Sequence, residues 1–546
     1  MIQREQLRRA PARVWVAVAL LCSCLFMCTA PGRITYPDDE IVFQTTQSLV
    51  TDHDLTIAGI PKRSGERADR PNGTFGWGSG RDGQRYGFFG HGISIVAAPI
   101  YALADATVDE VPKLWRYAQR SDLYTFHKRG HEADWLRMVV SVTNCLITPL
   151  AAVLLGLWLQ SLGHGARTSV LMALIYALGT TAWPYAGTLL SEPLSAAVLL
   201  GAALAISRFH RSGARAQLWI AASLTGLSVH VHVLNLLAIP CLLGYALGPA
   251  QIRARVRASW RIWAIAVGLG AAGVALLGAT QWWRFGSPFE TGRFDHYGHW
   301  VWPFEGLLAM LIAPGRSLFW YSPPLILAAL AWPAMRRRDE PAAYLVLALS
   351  LTRLVFVACR SDWHGGWAIG PRYLVPTVPF LLVPLAGWLE RWREHTKPAR
   401  AAAAALLGAS VPLQAWLASH SVFSLFWQLN HEYGRDRYMW ISDWRLEATP
   451  VIAFWRQQQP ALEFWRAGQA RAAWTSAQFD ALWFGAWRLS AATEADGLWW
   501  IVVGLGGVLA LAAASLGWWF WRARRAVDDP PGRGYGERDA APPVGS

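Results

Sequence analysis

Residues 14–44 read "VWVAVALLCSCLFMCTAPGRITYPDDEIVFQ". An unbroken apolar run from Val14 to Ala30 is followed, within a few residues, by three consecutive acids: Asp38, Asp39 and Glu40. Acids at the mouth of a hydrophobic segment have two readings. They form a solvated loop, or a reaction centre held at a membrane surface. The rest of the chain has to decide. Of its 546 residues 53% are hydrophobic and 16% charged, whereas a soluble domain carries roughly a quarter charged. The apolar residues come in blocks near the ~20 residues that a bilayer requires. This is the composition of an all-α polytopic membrane protein. The basic flank and short core of the first run would also suit a signal peptide, and "LLCSC" a lipoprotein cleavage site. The run has no small-x-small cleavage site and many spans follow it, so it is expected to stay as the first helix.

About twelve transmembrane helices are expected, at 13–30, 138–160, 168–186, 190–207, 217–230, 232–248, 262–282, 319–335, 342–358, 373–390, 401–419 and 498–521, with a shorter interfacial or re-entrant piece at 93–105. Six arginine-rich clusters then fall on one side. They are Arg4, Arg8 and Arg9; Arg208, Arg211 and Arg215; Arg253, Arg255, Arg257 and Arg261; Arg336, Arg337 and Arg338; Arg391, Arg393, Lys397 and Arg400; and Arg522, Arg524 and Arg525. The positive-inside rule makes that side, and both termini, cytoplasmic. A transmembrane module at 1–419 is expected, with 31–137 as its first outer loop. An extracytoplasmic Trp-rich segment covers 420–497, a last helix 498–521, and a disordered cytoplasmic tail 522–546. In "FWRQQQPALEFWRAGQARAAW", Trp and Arg alternate as in helices lying in the membrane interface; a small outer cap with a Trp-rich core fits equally well.

The charge is +14, but the basic residues are short clusters between apolar runs and form no single face, so no nucleic-acid partner is expected. No GxxxxGK[ST] loop is present, so a chemical step on the outer side needs a donor that arrives activated. Cysteines 22, 24, 28, 145, 241 and 359 show no metal-ligand spacing, and His230 and His232 would face opposite sides of a helix. No cofactor is assigned. A carboxylate pair can hold a divalent cation, and metal use stays open. Adjacent carboxylates near a low-dielectric boundary repel, which raises the pKa of one of them and makes it a better general base for a hydroxyl. "RSDWHGGWAIGPRY" supplies Arg360, Asp362, His364, Arg372 and Tyr373, with glycines that would let backbone approach a ligand. An arginine fork there suits a phosphate, or snorkels to headgroups. Glu192 in "LSEPL" is a functional candidate at the membrane edge, or a helix-capping neighbour of Ser191. Glu290, Arg293, Asp295, His296 and Arg316 are further polar candidates in the 283–323 loop.

These residues fall into ordered motifs: Asp39-Glu40, Gln47-Ser48-Leu49 and Asp52-His53-Asp54-Leu55, then "GSPFETG" at 286–292, "APGRSLFWYSP" at 313–323 and "WHGGWAIGPRY" at 363–373. Over roughly 12–390 the chain resembles the bacterial polyprenyl-phosphate-dependent glycosyltransferases of the GT-C fold, relatives of the protein O-mannosyltransferases and the lipid A aminoarabinose transferase. It departs from them at "FGHGIS" around His91, where that group often has His-Pro-Pro-Gly, and at Asp38, an extra acid. The resemblance implies an inner-membrane enzyme of the cell envelope. It would move a sugar from a polyprenyl-phosphate donor to an outer lipid, glycan or protein hydroxyl by inverting single displacement. Asp39 would take the acceptor proton with Glu40 in support, and Arg372, with Arg360 or Arg316, would meet the leaving phosphate. Asp38, His91, Glu192, His364 and Tyr373 would complete the substrate site. A transporter or flippase of lipid-linked sugars, or a non-catalytic assembly protein, is the alternative.

Overall fold

All twelve apolar segments form helix, but they divide by length. The computed structural model describes residues 10–57, 76–108, 131–248, 260–292, 299–469, 479–481 and 496–528. Eight helices there are long and apolar enough to cross a membrane: Ala12–Thr29, Trp135–Ser161, Glu192–Ser212, Trp260–Phe285, Glu340–Ala358, Arg372–Glu390, Lys397–Ala418 and Trp500–Arg524. The chain is a multi-pass, all-α membrane protein, with eight full-length spans among the described residues in place of the twelve expected.

The other four segments are short or broken, and local chemistry explains three breaks. Ala166–Gly179 stops at Thr180, which turns extended while its hydroxyl donates to the carbonyl of Tyr176 and accepts from the N–H of Ala182. Its fourteen residues reach only about 21 Å against a ~30 Å hydrocarbon core. Arg215–Val231 stops at His232, also extended, whose Nδ1 accepts from Leu234 N and opens a short 3₁₀ turn before Ala238–Leu247. Pro323 and Pro324 separate Leu318–Tyr321 from Pro324–Arg338. The piece expected at 93–105 is a sixteen-residue helix, Gly92–Thr107. The last helix, Asp496–Asp528, runs past the expected boundary at 521, with Arg522 over the ring of Trp518 one turn earlier.

The two ends of the helix bundle differ in chemistry. At one end Arg211 donates to the carbonyls of Gln160 and Ser161, and Arg338 to Glu390 and the carbonyl of Gly163. The spans 192–212 and 372–390 begin at the opposite end, with Glu192 and Arg372. A continuous core links the spans, with Trp158 fully buried at its centre and edge-on to Phe380 and Tyr245. A second core joins Tyr36, Tyr321 and Ile369 to Leu425, Phe426, Ile441 and Phe454, drawing the helices Val422–Tyr433, Tyr438–Trp444 and Pro450–Gln457 onto the acidic end. The described part of the Trp-rich segment, 420–469, thus has a packed inner face and an outer face with Trp427, Trp440, Trp455 and Trp465 exposed. A two-stranded hairpin, Trp77–Ser79 with Arg85–Gly87, lies near this end. Arg4, Arg8, Arg9, Arg253, Arg255, Arg257, Arg293, Asp295, His296 and the tail from 529 lie outside the described residues.

The helices Arg215–Val231 and Trp260–Phe285 meet through glycine. A Cβ on Gly273 would sit 2.4 Å from the carbonyl carbon of Gly226, whereas one on Gly268 would meet nothing within 4 Å. Alanine at a helical glycine gains up to about 1 kcal/mol of intrinsic propensity, and a forced overlap costs about 1–3 kcal/mol. Gly273→Ala should therefore unfold in detergent several degrees below Gly268→Ala. Equal melting temperatures would show that this contact does not hold the helices together.

Candidate active site

The acids at 38–40 are where a helix starts. Pro37 occupies the first turn of Pro37–Thr51, and Asp38, Asp39 and Glu40 follow it there. Proline costs nothing at that position, and carboxylates are favoured by the positive end of the helix dipole. Successive helical residues point about 100° apart, so the triplet sends its carboxylates to three different partners. This separates the pair that sequence reasoning had joined.

Asp38 Oδ2 accepts from Arg372 Nη1 at 2.6 Å. Arg372 Nε donates at 2.7 Å to Glu192 Oε1, and Glu192 is fully buried. One guanidinium therefore ties the acidic helix to the first residues of two spans. Its Nη2 makes no hydrogen bond among the described residues, so two N–H groups remain available. Gly365 has φ +71° and its position for a Cβ lies 3.0 Å from Arg372 Cβ, so that loop needs glycine to pass so close.

Glu40 turns away. It forms a forked pair with Arg137, at 2.9 and 2.6 Å, and accepts from Gln44 at 2.7 Å. The Arg137 guanidinium also lies 4.5 Å from the Phe43 ring centre.

Asp39 is the exception. It is 2% exposed, is stabilised in its charged form by the nearby backbone N–H of Leu189, and leaves Oδ1 buried with no hydrogen-bond partner among the described residues. Burial pushes its carboxyl well above the usual carboxylate range. The Leu189 hydrogen bond and Arg372 act against that, and the charges of Asp38 and Glu192 add to it. Tyr36 is buried in the same setting, and its phenol is raised by burial first and by Asp39 next.

The other expected residues lie around this centre. Arg316 is wholly buried, with Nε on Asp443 at 2.6 Å and its Nη atoms on the carbonyls of Ala368 and Gly366 at 2.8 and 3.0 Å. Those bonds hold the 363–373 loop, so its glycines bring backbone to Arg316 and Arg372. Arg360 pairs with Asp362 at 3.0 Å. His364 Nδ1 accepts from Gly366 N at 2.9 Å, and burial followed by Arg316 pushes the imidazole down to about 4. Tyr373 packs edge-on to His232, and its carbonyl accepts from Arg353. His91 belongs to a separate cluster with His230, 5.9 Å between ring centres; burial followed by Arg284 pushes it down to about 3. His230 itself bonds the carbonyl of Gly273 at 2.9 Å. Among the described residues no group of three or more His, Cys, Asp or Glu is arranged to hold a metal ion.

Sequence reasoning missed Arg137, Asp443 and Arg353. Arg353 carried a visible signal, being an arginine inside the apolar run 340–358, and ionisable residues within spans are functional by default. It bonds Asn235 Oδ1 at 3.0 Å and lies within electrostatic reach of Glu192. Arg137 and Asp443 sit in unremarkable sequence and are identified only by their partners.

No family model matches the chain, and no curated protein matches it in sequence. Among solved structures it is similar to ArnT from Cupriavidus metallidurans bound to undecaprenyl phosphate, at 14% identity and TM-score 0.47, over 92% of this chain and 76% of that one. It is similar to the apo state of that protein at 13% identity and TM-score 0.42, over 86% and 77%. A third is the apo form of the Archaeoglobus fulgidus oligosaccharyltransferase, at 12% and 0.45, over 86% and 68%. The likeness is one of helical outline, and the functional argument rests on the site.

A carboxyl whose folded pKa is raised keeps its proton where the unfolded chain has lost it. Stability then falls as pH rises from the ordinary carboxylate value near 4 through the folded value. Asp39→Asn removes that penalty and keeps an acceptor for Leu189. The variant should therefore melt above the wild type at pH 7.5, with the advantage shrinking toward pH 4.5. A melting temperature below wild type at pH 7.5 would contradict the burial argument.

Proposed function

We propose that this chain is a membrane glycosyltransferase. It moves a sugar from a polyprenyl-phosphate donor to a hydroxyl of an outer lipid, glycan or protein, in the cytoplasmic membrane of a bacterium, with the acidic end facing outward. The observation that carries this reading is the pairing of opposites at one point. Asp39 offers a buried, unpartnered oxygen whose affinity for protons is raised. Arg372, within its electrostatic reach, offers an unused N–H edge. The ordered motifs and the missing nucleotide loop supply the rest, since an activated lipid donor needs no nucleotide site.

In the proposed reaction the acceptor O–H gives its proton to Asp39 Oδ1 as its oxygen bonds the anomeric carbon. The bond from that carbon to the phosphate oxygen breaks, and the electron pair leaves with the polyprenyl phosphate. Attack opposite the leaving group inverts the anomeric centre. Arg372 Nη2 meets the growing phosphate charge, a fork suited to oxyanions. Asp38 and Glu192 hold that fork in place, Arg316 holds the loop that carries it, and Glu40 anchors the helix through Arg137. Arg360, His364 and Tyr373 border the donor side, and His91 the approach past the hairpin. No step requires a metal ion, and a divalent cation added to the assay tests that point separately.

The test is transfer of labelled sugar from a panel of polyprenyl-phosphate sugars by the purified chain in nanodiscs. Asp39→Asn should lower turnover by about 10²–10⁴, the range for loss of a general base, while keeping expression and fold. Arg372→Lys should weaken donor use, because a point charge replaces a fork. Full turnover in Asp39→Asn would remove the base assignment. Sugar-lipid crossing of the bilayer without transfer would replace the enzyme with a flippase.

A further inference from the structure

A cavity of about 360 Å³ opens at the end of the bundle opposite Asp39. The helical stretch 372–390 connects the two places, with Arg372 at one terminus and Glu390 at the other, nineteen residues of 3₁₀ and then α-helix, or about 30 Å of rise. The cavity lies between the ends of the spans at 162, 335–339 and 383–391, and its volume is within the range of small-ligand pockets.

Its lining has two halves. Leu162, Met335 and Val383 give an apolar floor on the bundle side; on the water side three arginines, Arg337, Arg338 and Arg391, outnumber the two acids there, Asp339 and Glu390. The site already grips one anion. Glu390 Oε1 accepts from Gly165 N at 2.8 Å, and Oε2 lies 2.7 Å from Arg338 Nη1 and 3.1 Å from His164 Nδ1. The side chain of Glu390 thus occupies a nest of donors at the head of the helix Ala166–Gly179. Arg338 is consumed there, on Glu390 and on the carbonyl of Gly163. Arg337 and Arg391 are exposed, and neither is engaged in an ion pair among the described residues; Arg391 Nε donates to the carbonyl of Gly387 at 3.3 Å and leaves its Nη groups toward water.

Two guanidiniums with no carboxylate partner among the described residues, over an apolar floor at a membrane edge, match a ligand with an anionic head and an apolar body. We propose that this cavity binds a phosphate-bearing ligand, through Arg337 and Arg391, at a site separate from the transfer centre. The phosphate belongs to an anionic lipid headgroup or is a free phosphate. The site serves as an anchor or an effector position and contributes nothing to sugar chemistry.

The experiment is native mass spectrometry of the full chain in detergent, with phosphatidylglycerol or phosphatidylcholine added. Phosphatidylglycerol should bind about tenfold more tightly, as expected from two arginines at a membrane surface. The preference should disappear in Arg337→Ala/Arg391→Ala and survive in Arg208→Ala/Arg215→Ala, which removes two exposed arginines of another cluster at that end. Retention in Arg337→Lys/Arg391→Lys with loss in the alanine pair separates charge from damage to the fold. Displacement of the lipid by millimolar inorganic phosphate assigns the site to phosphate as such; resistance to it assigns the site to the intact lipid. Equal binding of both lipids, or an unchanged preference in the alanine pair, overturns the proposal. Asp39→Asn leaves this readout unaffected, so its outcome is independent of the transfer assay.

Discussion

The bridge from Asp38 through Arg372 to Glu192 determines how the acidic end is built. It joins a helix outside the spans to the first residues of two spans, and every group in it is largely shielded from water. Taking such charges out of water costs several kcal/mol per ion, and removing one partner of a buried pair costs about 3–5 kcal/mol. An arrangement of that kind survives only when all its members are present and correctly spaced. The surrounding features follow from this demand. Gly365 lets the loop approach Arg372, Arg316 with Asp443 fixes the loop's far side, and Arg137 removes Glu40 from competition for Arg372.

The same bridge explains why Asp39 differs from its neighbours. Asp38 and Glu192 share one cation, and Glu40 has another, so three carboxylates are satisfied by geometry. Among the described residues Asp39 has one backbone N–H and no counter-ion of its own. In water this would matter little, but at 2% exposure it shifts the balance toward the protonated form. A proton acceptor is obtained here by leaving one acid out of a network that satisfies the others.

Much of this was readable from residues 14–56 and the motifs downstream, because hydrophobic blocks and outer-loop motifs are local signals. The membrane class, the helical nature of all twelve apolar segments and the meeting of 38–39, 192 and 372 each have such a signal. The segments at 168–186, 232–248 and 319–335 were expected as full spans, and the structure makes them shorter or broken. Thr180, His232 and the Pro323–Pro324 pair break helices through side-chain or ring geometry, which a hydropathy window averages away. Asp39 and Glu40 were joined because they are adjacent in sequence, although a helix sends neighbours in different directions. Arg137 and Asp443 could not be read at all, since their meaning lies in partners 97 and 127 positions away.

Charge accounting ties the site to the proposed chemistry. Asp38 and Glu192 carry two negative charges in this buried cluster, and Arg372 and Arg353 two positive ones, so an ionised Asp39 is the surplus. A sugar linked through a phosphodiester brings one further negative charge. In the proposed transfer the acceptor proton neutralises Asp39 while the departing phosphate gains one negative charge. The total stays constant, and one unit of charge moves from a carboxylate with no cation of its own to a phosphate facing an arginine fork. In a low-dielectric setting such a shift toward a preorganised cation lowers the barrier without large reorganisation of the surroundings. Asp38 gives this arrangement its direction. By holding Nη1 it fixes the plane of Arg372 and leaves the Nη2 edge as the fork's remaining open side.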